Sequence, residues 1–148
     1  MFETTFNNLD DILRKDAGCS SELDYIEQTS WVLFLKYLDD YEKDKETTAK
    51  LSGETYSSII SEEYRWTTWA APKTAEGKFD FNAALTGDDL KEFVDNQLFP
   101  YLTKFRTDAE SANTLEYKID EIFSEITDKL QSGYSLREVI NKVDELRF

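Results

Sequence analysis

The chain has 148 residues, about one domain's worth, and its 17 Lys and Arg against 31 Asp and Glu leave a formal charge of −14 with no histidine at all. A charge of that sign favours solubility and repels polyanions, so the domain as a whole should not bind duplex DNA unaided. The single cysteine, Cys19, excludes an internal disulfide and fits a reducing, cytoplasmic compartment, where it reads as a buried, inert thiol.

Helical periodicity dominates the chain, which reads as all-α: a bundle of about five helices in one domain spanning residues 1–148. Phe2, Phe6, Leu9 and Leu13 make the apolar face of a first helix, which should stop near Asp16–Gly18 with Gly18 as a C-terminal cap. Ser21-Glu-Leu-Asp24 resembles a capping box and opens a second helix running to about Lys45. Its middle, Trp31 to Leu35, is apolar on every side and predicts a position at the centre of the bundle; it is also the longest apolar run, far short of a membrane span. Past Leu38 the charges Asp39, Asp40, Glu42 and Lys43 read as a solvated end.

Residues 52–81 are predicted as a short helix near Tyr56–Glu62 followed by a long irregular segment pinned by its aromatics. Thr86-Gly-Asp-Asp89 starts a further helix with acids in its first turn, and Pro100 should end or kink it. Leu115 to Leu130 carries another apolar stripe, ended by Gly133. Ser135-Leu-Arg-Glu138 is a full capping box for a last helix. That helix reaches Phe148 without a stop signal, which suits a natural terminus and suits at least as well a domain followed by more chain.

Without histidine the chain has no imidazole base for a nucleophile and no Glu-x-x-His metal pair, and one cysteine cannot build a zinc site. Its five glycines are scattered and form no phosphate loop. The adjacent acids Asp39–Asp40 and Glu62–Glu63 lie in polar flanks and read as solvated surface rather than a catalytic pair. Charge reverses in one place. Between Tyr64 and Phe79, Arg65, Lys73 and Lys78 oppose the lone acid Glu76, a local net of +2, and Trp66 and Trp69 interleave with them. The mix suits a loop that contacts phosphate or docks a partner subunit. The tryptophans read first as core anchors for a long loop, and the contact reading falls mainly to Arg65, Lys73 and Lys78.

Three segments occur together in a known family: Asn8-Leu9-Asp10-Asp11-Ile12-Leu13-Arg14, then Leu33-Phe34-Leu35-Lys36-Tyr37-Leu38-Asp39-Asp40, then Glu63-Tyr64-Arg65-Trp66. In this order they resemble the N-terminal helical domain of the modification (methyltransferase) subunit of type I restriction–modification systems. The resemblance implies an enzyme that methylates adenine N6 with S-adenosylmethionine. It further implies assembly of two modification subunits with one specificity subunit, a restriction subunit as partner, and DNA held by the whole complex with no membrane involved. The N-terminal domain would help the modification subunits assemble and close around DNA. The adenine methylase signature, Asn-Pro-Pro and an aromatic residue, has no match, because Pro72 and Pro100 are the only prolines. No catalytic, cofactor or metal residue therefore carries over onto this chain, and catalysis is expected in a downstream domain. Arg65, Trp66, Trp69, Lys73 and Lys78 stand as candidate DNA or subunit contacts. The composition alone also suits a free-standing acidic DNA mimic or a helical adaptor.

Overall fold

In a computed structural model, which describes residues 2–105 and 115–146, helices α1 (Phe2–Arg14) and α2 (Glu22–Leu51) lead the chain. A single 3-10 turn, Glu62–Tyr64, and the short α3 (Trp66–Trp69) follow. Next come α4 (Gly87–Phe93), a π-helical stretch Val94–Leu98 and α5 (Phe99–Leu102), wound as one continuous rod. After these come α6 (Leu115–Glu125) and α7 (Gly133–Asp144). Among the described residues the only strand-like pairing is an isolated antiparallel bridge between Lys73 and Phe79, so the all-α, five-rod reading stands. The side chain of Phe2 and the chain end at Phe148 lie outside the described residues.

Ser21 caps α2 as the sequence predicts, accepting from the Asp24 amide at 3.3 Å. Asp24 reaches back to the Ser20 amide at 2.9 Å, one residue before the position a capping box would use. At the centre of α2, Trp31 is fully enclosed. Its ring meets Phe99 edge-on at 5.1 Å, Phe99 meets Phe123 at 5.2 Å, and Phe34 closes onto Phe123 at 6.1 Å. These ring contacts, two edge-on and the last tilted, tie α2, α5 and α6 into one core. Leu9 and Leu13 of α1 and Leu136, Val139, Ile140 and Val143 of α7 complete it.

Five boundaries differ from the sequence reading, each for a local reason. α2 runs to Leu51 rather than Lys45, because its charged half is held to the body of the domain by the contacts described below. No helix forms over 56–62; the amides of Ile59 and Ile60 donate to the Glu42 carboxylate instead of to helical carbonyls. Pro100 does not end its helix. The π stretch just before it, with the Phe99 amide donating to the Val94 carbonyl, widens the turn that the proline ring would otherwise strike. α6 stops at Glu125 rather than near Leu130, since Gln28 captures the Thr127 carbonyl (2.9 Å) and the Lys129 amide (3.1 Å). The N-cap of the last helix lies three residues earlier than predicted, at Ser132 rather than Ser135, and accepts from the Ser135 amide at 3.3 Å.

Two glycines serve close approach rather than helix termination. A Cβ on Gly133 would sit 1.8 Å from the Gly87 carbonyl oxygen, so α4 and α7 touch there backbone to backbone. A Cβ on Gly18 would sit 1.7 Å from the Lys129 carbonyl oxygen, where the α1–α2 turn meets the 126–132 segment. Asp16 fastens the same junction, accepting from the amides of Gly18 (2.8 Å), Gln131 (2.9 Å) and Ser132 (3.0 Å). Burial works against its charge, but these amide donors outweigh it and hold the Asp16 carboxyl below the usual range.

Candidate functional site

The stretch singled out by its charge, Tyr64 to Phe79, is positioned by the far half of α2. Asp39, Glu42 and Glu46 follow at spacings of three and four, so they share one face of that helix. Arg65 lies over them. Its Nε donates to Asp39 Oδ1 at 3.0 Å, its Nη1 to Glu46 Oε1 at 2.9 Å and to Ser58 Oγ at 3.1 Å, and its Nε stands 3.7 Å from Glu42 Oε2. Burial alone would lower the Arg65 pKa, but Glu46 and Asp39 outweigh it and raise it, so the guanidinium is permanently charged.

Glu42 is fully buried and is the acceptor for a whole turn: Tyr56 OH (3.1 Å), Ser58 Oγ (3.0 Å) and the amides of Ile59 and Ile60 all donate to it. Burial and the Glu42 charge push the Tyr56 hydroxyl upward, keeping it protonated as a donor. The solvated reading of this end of α2 is therefore corrected. Asp39 and Glu42 are interior groups, made tolerable by donors from residues 56–65, and Asp40 pairs with Lys36 at 2.8 Å. Glu62 and Glu63 are exposed as predicted.

The remaining candidates part company. Trp66 and Trp69 are core residues packed edge to face at 5.9 Å. The Trp66 indole donates to Asp144 Oδ1 at 2.8 Å, and the Trp69 indole to the Tyr64 carbonyl at 3.0 Å. Lys73 pairs with the other oxygen of Asp144, so Trp66 and Lys73 converge on one carboxylate at the end of α7. Lys78 lies in the exposed turn beyond and has no ion pair among the described residues. Arg65 and Lys73 thus meet separate carboxylates and form no common basic patch.

The sequence reading missed Arg137. Its Nη1 donates to the Leu85 carbonyl at 2.8 Å, its Nη2 to the Ala70 carbonyl and its Nε to Asn141 Oδ1 at 3.1 Å, while its guanidinium covers the Phe79 ring at 5.1 Å. Burial brings its pKa down to about 10, against the pull of Asp144. Its position inside an apparent capping box hid it; only the fold shows that the 70–85 loop hangs from it. Asp128 was missed too. Its side chain is 1% exposed, between Lys91 (3.6 Å) and Asp95, and burial followed by the Asp95 contact raises its pKa to about 7. Burial, then the negative field of Asp16, Asp24 and Asp128, raises the Cys19 thiol to about 11, matching the inert reading. No helix among the described residues is long and apolar enough to cross a membrane.

A family model described as the HsdM N-terminal domain matches residues 3–143. The chain is 35% identical over 145 residues to the type I restriction enzyme EcoEI methylase subunit of Escherichia coli, a match spanning 98% of this chain and 27% of that protein. Its fold superposes with a TM-score of 0.82 at 29% identity on a crystal structure described as the modification subunit of a type I restriction enzyme from Vibrio vulnificus YJ016, covering 99% of this chain and 30% of that one. A second structure, from work on complex assembly and conformational transition of the type I restriction–modification system, superposes with a TM-score of 0.73 at 31% identity, covering 99% of this chain and 26% of the other. The chain thus spans about a quarter to a third of these relatives. With the family model covering residues 3–143 and each of these relatives matched over 98–99% of the chain, the chain belongs to the family of N-terminal domains of type I restriction–modification modification subunits.

Proposed function

We propose that this domain is the accessory, assembly-forming part of a DNA adenine-N6 methyltransferase subunit. In this reading it helps two modification subunits join one specificity subunit and the restriction subunit, and close around DNA in the cytoplasm. Methyl transfer from S-adenosylmethionine then takes place on a downstream domain.

One observation carries the reading: the direction of the basic side chains. Arg65, Lys73 and Arg137 turn onto acceptors within the chain, while the large side chains Leu23, Ile26, Phe81 and Tyr134 stand exposed. Such a surface favours protein contacts over phosphate contacts. Direct contact with DNA from the 65–78 stretch falls to Lys78.

The test uses the full-length modification subunit with and without residues 1–148. The expected result is that the truncated subunit still binds S-adenosylmethionine but no longer assembles or transfers tritiated methyl groups to target adenines. Normal assembly and methylation by the truncated subunit overturns the proposal.

A further inference from the structure

A groove of about 230 Å³ opens between the 79–81 segment and the last turn of α7, lined by Phe79, Phe81, Asn141, Asp144 and Glu145. Ligand pockets usually enclose ~300–1,000 Å³, so this one suits a single side chain better than a cofactor. Phe79 and Phe81 meet edge to face at 4.8 Å, and Phe81 keeps 81% of its surface exposed.

The groups around the groove differ in what they have left to offer. Both oxygens of Asp144 are taken, one by Trp66 and one by Lys73, which also neutralises the lysine. Asn141 Oδ1 accepts from Arg137. Phe79 already faces two cations, Arg137 at 5.1 Å and Lys73 at 6.0 Å from its ring centre. The Phe81 ring and the Glu145 carboxylate remain. Glu145 is exposed and has no ion pair among the described residues.

An open aromatic face beside a carboxylate, on a domain of charge −14, is complementary to a long basic side chain. The aliphatic stem packs on the ring while the charged head meets both the ring's negative face and the carboxylate.

We infer that this groove docks a basic segment of a separate partner polypeptide, seating one of its arginine or lysine side chains between Phe81 and Glu145. The inference rests on the assembly role proposed above and names the surface and partner chemistry that role would use. The experiment compares full-length wild-type subunit with Phe81→Ser, Glu145→Lys and Glu145→Gln for affinity to its specificity subunit at low and high salt. Urea midpoints of each variant check that the fold is intact.

Phe81→Ser and Glu145→Lys are expected to weaken association at least tenfold, Glu145→Gln less, and raised salt to narrow the difference between wild type and Glu145→Lys. Unchanged affinity in the variants, with the wild-type complex forming normally, overturns the docking site and leaves the assembly role standing. Failure of the wild-type subunits to associate removes both. Unchanged affinity together with faster proteolytic release of this domain from its own subunit identifies a tethered occupant and overturns the separate-partner inference.

Discussion

Arg65 and Asp39 meet at 3.0 Å across 26 residues of sequence, and the contact fixes where the 52–65 segment lies against α2. The Asp39 side chain is 2% exposed and that of neighbouring Glu42 is fully buried; Glu42 takes its donors from this segment, while Asp39 is shared between Arg65 and Lys43 of its own helix. Replacing Arg65 by Met removes the only cation beside buried Glu42 among the described residues and leaves Asp39 with Lys43 alone, at 2.9 Å. Breaking a buried pair in this way costs about 3–5 kcal/mol. Urea unfolding followed by tryptophan fluorescence reads it directly, since Trp31, Trp66 and Trp69 are all buried. A loss below 1 kcal/mol would show the network to be a surface feature after all.

Asp128 gives the domain a pH dependence of unusual sign for a carboxylate. Its pKa in the fold, about 7, lies above the ordinary value of 3.8, so the folded state binds the extra proton between those limits. Stability from this group is complete below about pH 4 and is lost as pH rises towards 7. The charges facing it are Lys91 and Asp95 from the α4 rod, with Asp16 and Asp24 from the α1–α2 turn near the same Cys19 thiol. Asp24, held down to about 2 by Lys129 and the Ser20 amide, acts in a separate window below pH 4 and in the opposite direction. Asp128→Asn is expected to raise the Tm above pH 7 and to flatten the profile between pH 4 and 7. An unaltered slope in the variant would assign the dependence elsewhere.

Gly133 is expected to tolerate no side chain. An added methyl would strike the Gly87 carbonyl, and neither partner is a flexible side chain that could swing aside. Gly133→Ala should therefore destabilise by at least the ~1–3 kcal/mol typical of overpacking. Gly53→Ala, where nothing lies within 4 Å and only the positive φ opposes the change, gives a control for backbone strain alone. Equal unfolding midpoints for the two variants would contradict the close approach of α4 and α7.

Lys78 and Arg65 should behave differently in the assembled complex on DNA. If Lys78 touches a phosphate, Lys78→Ala lowers the slope of log K against log salt by about 0.9. Arg65, occupied by Asp39 and Glu46, should lower affinity only through lost stability and leave the slope unchanged. An unchanged slope for Lys78→Ala removes DNA contact from this loop.

The helices were legible because each needs only one apolar stripe. Leu9 and Leu13, or Leu136, Val139, Ile140 and Val143, announce their buried face from spacing alone, and all are buried. Distant polar partners were not legible. Nothing near Asp39 or Glu42 in the sequence shows that donors from residues 56–65 will cover them, so both read as solvated acids. The same reason explains Gly133, whose role depends on Gly87, 46 positions earlier. Of the candidate contacts, the tryptophans followed the general tendency of large aromatics to fill cores. Arg65 and Lys73 were read from local charge, while their partners lie on α2 and α7.

The junction around residues 126–132 bears on how the chain is made. Gln28 waits for Thr127 and Lys129, Asp24 for Lys129, and Asp16 for Gln131 and Ser132, separations of 99 to 116 residues. Loop closure over such spans is slow and cannot begin until the later partner exists. During synthesis, α1 and α2 therefore leave the ribosome with their polar anchors empty and the Trp31 environment incomplete. These contacts wait for residues 127–132 to emerge, so premature termination before that stretch is expected to yield an aggregation-prone product rather than a shortened domain.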